Sequence, residues 1–180
     1  MIMKAKIPHQ SYSTEISGSN TNTINICDTQ LNLNDYYSIN SISTETQDKM
    51  NQNDFMVLPT KYDDNHYYFA QESINFIKFC RNSSDKRIDI LSDGDIQVRS
   101  LHSFDIWLPV IWVATSVLLP LAINLVSNYI YDKLKGREEE ASQVDVTFIV
   151  KREEEEKCLH YKGDAKTFKD KFDKIDLNNL

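Results

Sequence analysis

The chain has 180 residues, enough for one domain of ordinary size or two very small ones. Lys and Arg number 20 against 27 Asp and Glu, and the formal charge of −7 excludes a general nucleic-acid binder, which needs a basic surface to displace counterions from phosphate. Four glycines (Gly18, Gly94, Gly136 and Gly163) are too few and too scattered for a glycine-rich phosphate cradle.

Residues 1–53 form a polar segment rich in Ser, Thr, Asn and Gln. Only Ile24 with Ile26, and Leu31 with Leu33, alternate at the period of a strand, and the composition suits loose loops equally well. The first residues contain no apolar run of signal-peptide length, so the expected location is cytoplasmic. Cys27, Cys80 and Cys158 are odd in number and widely spaced, which reads as reduced thiols rather than a disulfide framework.

Residues 54–105 read as a small α/β region. FMVLP is a short apolar run stopped by Pro59, and HYYFA (66–70) is aromatic and strand-like. Ser73 is expected to cap a helix carrying Ile74, Phe76, Ile77 and Cys80 at helical spacing. Asp93-Gly94 sits between Ile88, Ile90 and Ile96, Val98, which predicts a β-hairpin over 88–99 with its turn at Asp-Gly.

The stretch from Ile106 to Tyr131 holds 26 residues without a formal charge. As one helix it would extend roughly 39 Å, enough to cross a bilayer core, with Trp107, Trp112, Tyr129 and Tyr131 placed as interfacial aromatics. Pro109 and Pro120 argue otherwise. IWLPVIWV suits a buried strand, and Pro120 suits the first turn of a helix ending near Gly136. That helix is amphipathic: Asn124, Ser127, Asn128, Tyr131 and Lys135 form a polar stripe, opposite Leu121, Leu125, Ile130 and Leu134. Residues 106–135 are therefore either an apolar strand plus an amphipathic helix, or one transmembrane helix.

Residues 144–176 read as a ββα module. Val144, Val146, Phe148 and Val150 alternate with Asp145, Thr147 and Lys151, and a second strand carries Leu159 and Tyr161. Asp164 is expected to cap a last helix whose Ala165, Phe168, Phe172 and Ile175 recur at helical spacing. The whole reads as an α+β fold: a polar N-terminal α/β region, the central segment, and a C-terminal β-hairpin with a packing helix.

Catalytic constellations are not visible. Cys158 and His160 would share one strand face but are two ligands where zinc needs three or four, so both read as half-exposed strand residues. Asp63-Asp64-Asn65-His66 reads as a polar loop, and no nucleophile elbow or phosphate-loop motif occurs. No cofactor or metal is implied. The expectation is a non-catalytic interaction or accessory protein whose partner is another protein chain or a second copy of itself. Candidate contact residues are Asn124, Asn128 and Tyr131 on the helix, and Glu153, Glu154, Glu155 and Glu156 in an acidic loop between the last two strands. The alternative is a single-pass membrane protein spanning 106–131, serving an envelope or phage-defence system.

Overall fold

Polar capping residues start the first helices of a segment that hydropathy alone leaves loose. The computed structural model describes residues 12–16, 23–27, 32–61, 65–100, 105–138 and 140–177, with the backbone alone at 12–16, 23 and 27. β1 (Tyr12–Ile16) and β2 (Thr23–Cys27) precede two short helices, α1 (Leu33–Ile39) and α2 (Thr44–Met50). Asn32 accepts from the Asp35 N–H at 3.0 Å while Asp35 accepts from the Asn32 N–H at 2.9 Å, a reciprocal capping box. Ser43 caps α2 by accepting from the Thr46 N–H. These helices stand where loose loops and a Leu31/Leu33 strand were expected; Leu33 opens α1, and Leu31 lies outside the described residues.

β3 (Phe55–Leu58), β4 (Thr60–Lys61), β5 (Tyr67–Ala70), α3 (Gln71–Ser83), β6 (Ile88–Ile90) and β7 (Val98–Arg99) follow. Two expectations fail here. Ser73 does not cap α3, which starts at Gln71 with no side-chain cap; Ser73 lies fully buried in its first turn. The 88–99 hairpin is absent. β6 instead pairs parallel with β3, and β7 pairs parallel with β5 in a separate sheet. Gly94 does adopt φ +122, but the bend carries the chain out of the sheet, and Asp93 bonds α2 instead. The β3–α3–β6 unit is a parallel crossover, so β6 finds its partner across a helix rather than across a turn.

β8 (Ile106–Val113), a 3-10 turn (Ser116–Leu118) and α4 (Leu119–Leu134) divide the uncharged segment between them. Among the described residues no helix is long and apolar enough to cross a membrane, so the single-helix alternative for 106–131 is not what this segment forms. Both prolines fit the division. The β8–β9 register shifts between Trp107 and Val110, so Pro109 sits in a bulge where its missing N–H costs no ladder bond. Pro120 lies in the first turn of α4, where a missing N–H is tolerated. Gly136 ends the helix with φ +81, left-handed as helix termini favour.

β9 (Gln143–Arg152), β10 (Glu155–Asp164), a 3-10 turn (Ala165–Thr167) and α5 (Phe168–Phe172) complete the order. The fold is α+β. The main sheet runs β1-β2-β10-β9-β8-β3-β6, and β4-β5-β7 form a smaller one. One face of the main sheet, carrying Val57, Ile111, Val146, Phe148 and Tyr161, packs against α3, α4 and α5. Tyr161 and Phe168 meet edge to face at 5.1 Å there, as do Phe148 and Phe172 at 5.8 Å. On the other face, Met56, Leu58, Trp112 and Ile149 lie under Leu33, Tyr36, Tyr37 and Met50 of α1 and α2. Arg81 blunts the β6 edge by donating to the Ile88 carbonyl at 3.1 Å and to Asp89 at 3.0 Å.

The cysteines are not all the reduced thiols expected from their spacing. Cys158 is disulfide-bonded, and in the β2–β10 register it stands opposite Cys27, from which it is distant in sequence. Spacing along the chain conceals a juxtaposition of backbone positions that only strand pairing creates. Cys80 is free and buried, and burial pushes its thiol up to about 12.

Candidate functional site

α4 presents two unlike faces. Leu119, Ala122, Ile123, Leu125, Val126, Tyr129, Ile130 and Leu134 are buried against the sheet and its neighbouring helices. The opposite face, led in by Val117, exposes Pro120, Asn124, Asn128 and Tyr131. Val117 is 84% and Tyr131 74% exposed, so two large side chains stand in water at the two ends of one ridge. From Ile106 through Tyr131 the sequence has no charge, and the first ones on this face are Asp132 and Lys135 at its end. A 16-residue helix is about 24 Å long, so the uncharged strip is extended. Burying it would desolvate amides and a phenol but no ion, the cheaper kind of polar surface to cover.

The helix is held rigidly. The Tyr129 hydroxyl donates to Glu72 Oε2 of α3, and Lys133 Nζ reaches Glu72 Oε1 at 3.1 Å. The Tyr129 ring meets Phe76 and Phe79 edge to face, each at 5.4 Å. Burial first, and the Glu72 carboxylate second, push the Tyr129 phenol above its usual range.

The acidic residues 153–156 are not one loop. Glu153, with φ 50, and Glu154 make the turn, while Glu155 and Glu156 already belong to β10. Glu155 lies 3.5 Å from Lys157. The Glu156 carboxylate accepts from Trp112 Nε1 and from the Leu33 N–H, both at 2.9 Å, so it is committed to the interior contacts of the fold. Glu153 and Glu154 remain at the surface.

A polar patch closes the other end of the α1/α2 face. Lys162, Asp145 and Trp107 form one row across β10, β9 and β8, and Asn25, His160 and Thr147 the next across β2, β10 and β9. His160 is 8% and Cys158 2% exposed, not half-exposed as their strand position suggested, because neighbouring strands flank both. His160 Nε2 lies 2.8 Å from Asp145 Oδ1, within hydrogen-bonding distance. Asp105, Trp107, Gln143, Val144, Asp145 and Lys162 line a shallow cleft of about 220 Å³, with the Lys162 ammonium 5.8 Å from the Trp107 ring centre. Cys158 offers no thiolate, and among the described residues no group of three or more His, Cys, Asp or Glu could hold a metal ion. Asp63 and Asp64 lie outside the described residues, and Asn65 sits in a turn with φ 62.

The structure therefore brings Asn124, Asn128 and Tyr131 together on one surface and separates them in role from Glu156. Two contributors escaped sequence reading. Val117 reads as one more apolar residue of an apolar run, and Asp145 as a solvent-facing strand position. Comparison with family models, curated proteins and solved structures finds no match to the chain.

Proposed function

We propose that this chain is a non-catalytic interaction module that docks another protein chain through the exposed face of α4. The observation that carries the reading is the uncharged ridge from Val117 to Tyr131, with both large end residues standing in water. Exposed Asn and Tyr on a rigid helix supply adaptable hydrogen bonds and contact area at low conformational cost. The buried side of the same helix fixes the geometry of the ridge, so docking needs little rearrangement.

The test is capture of partners from cells by the immobilised chain, comparing wild type with Asn128→Arg and Tyr131→Ala. Both positions are exposed, so the circular dichroism spectrum and the melting temperature stay unchanged. The reading expects specific partners to be lost from both variants; an identical capture profile in all three proteins would sink it. Because Cys158 is disulfide-bonded, the comparison is run with and without reductant.

A further inference from the structure

We infer that the cleft beside Trp107 binds one neutral sugar ring, a hexopyranose free or at the end of a chain. The cleft lies on the side of the main sheet opposite α4, so the inference does not depend on the docking role of that helix.

Three strands bring its groups into one row. Lys162 of β10 stands beside Asp145 of β9, and Asp145 beside Trp107 of β8. The register of β8 shifts directly after Trp107, and a bulge of this kind bends a strand and re-aims its side chains. Fixed contacts orient the carboxylates. Asp145 Oδ1 lies 2.8 Å from Nε2 of His160, which is buried in the sheet. Asp105 Oδ1 accepts from the Gln143 N–H at 3.1 Å, which ties the start of β9 to the chain just before β8. A ligand therefore meets carboxylates already in place, which lowers the entropic cost of holding it.

Size and charge select the ligand. The cleft of about 220 Å³ is smaller than the ~300–1,000 Å³ of sites for larger organic molecules, so it takes a single ring. Its lining offers donors from Lys162 and Gln143, and acceptors from Asp105, Asp145 and Gln143. An anion here meets two carboxylates, and a cation meets the Lys162 ammonium, 5.8 Å from the indole centre. A wholly apolar ring would strip water from these charges and replace it with nothing. A sugar hydroxyl donates and accepts at once, so it pairs with Asp145 and Lys162 together. The C–H face of the same ring is apolar and lies on the indole, burying apolar area while the hydroxyls at its rim stay bonded.

Nuclear magnetic resonance titration of the full chain tests this, with methyl α-glucoside, methyl α-mannoside, methyl β-galactoside and maltoheptaose as probes. The chain has two tryptophans, so two indole N–H signals report separately. The Trp107 signal is expected to shift with a dissociation constant on the order of 1 mM, the range open to a ligand of about twelve non-hydrogen atoms. Trp112, whose Nε1 donates to Glu156, is expected to stay in place. Lys162→Met and Trp107→Ala each weaken binding about tenfold, followed at the Asp145 backbone amide, with an unmoved Trp112 signal showing that the variants are folded. Tighter binding of maltoheptaose than of methyl α-glucoside points to a chain end, equal binding to the free sugar, and both support the site. Three results overturn it: no Trp107 shift with any sugar, unchanged affinity in Lys162→Met, or a stronger response to benzoate or tetramethylammonium than to every sugar. None of them bears on capture through Tyr131, so the two readings fail separately.

Discussion

Glu156 joins three separate parts of the chain through one carboxylate. One oxygen accepts from the Trp112 indole on β8, and the other accepts from the first N–H of α1. Its neighbours on the acidic run, Glu153 and Glu154, make no such contact among the described residues and stay at the surface. Sequence treats the four glutamates as equivalent because strand register is invisible in a charge run. What distinguishes Glu156 is that it stands opposite Lys151, on the face where α1 packs. Glu156→Ala leaves the indole N–H and the helix N–H without their acceptor, and the expected loss is about 2–3 kcal/mol of stability. Urea unfolding measures it, and Trp112 emission shifts as the indole changes environment. Stability within 0.5 kcal/mol of wild type would remove Glu156 from this role, since that is about the range of an ordinary surface substitution.

At the scale of elements, legibility follows the range of the interaction that decides each one. The alternation of Val144, Val146, Phe148 and Val150 is a local signal, and all four are buried on one face. The stripe of α4 is equally local: Asn124 and Asn128 face out while Leu125 and Ile130 face in. Asp93-Gly94 is a local signal that misleads. Gly94 supplies the positive φ, but the partner of β6 is β3, reached through α3, and no short-range pattern encodes that. Asp93 then takes a second function at the start of α2, accepting from the Ser43 N–H at 2.9 Å and from the Thr46 hydroxyl at 2.7 Å. Those bonds, Thr46 first, hold its carboxyl below the usual range. A lowered carboxylate pKa gives stability that is present above the unfolded value, about 4, and is lost as pH falls through the folded one. The protection factors of the α2 amides, measured against intrinsic exchange at each pH, are therefore expected to fall on acidification, before those of the β9–β10 pair. Asp93→Asn should produce much of that effect at neutral pH. Equal protection of α2 in the variant and in wild type would contradict the assignment.

Across the whole molecule, tyrosine recurs where helices meet the sheets and one another, which composition alone does not show. Tyr36 and Tyr37 seat α1, Tyr36 meets Tyr67 of the small sheet edge to face at 6.1 Å, Tyr129 ties α4 to α3, and Tyr161 anchors the start of the 3-10 turn that leads into α5 by donating to the Asp164 carbonyl at 2.7 Å. Which helix covers which face depends on such long-range contacts, so the layering was not readable from periodicity. Burial raises the phenol pKa at all five positions, with Tyr37 pushed up to about 12. The sign is fixed by linkage. An unfolded tyrosine releases its proton near pH 10, while the folded one retains it, so above that pH the native state binds more protons. Stability is thus fully present below about pH 10 and falls as pH rises toward the folded values. The measurement is urea unfolding across an alkaline series, with tyrosinate absorbance followed in parallel. Of the nine tyrosines in the chain, these five should ionise together with the loss of helical circular dichroism. Five phenols ionising freely while the helices remain intact would show that tyrosine burial does not hold the layers together.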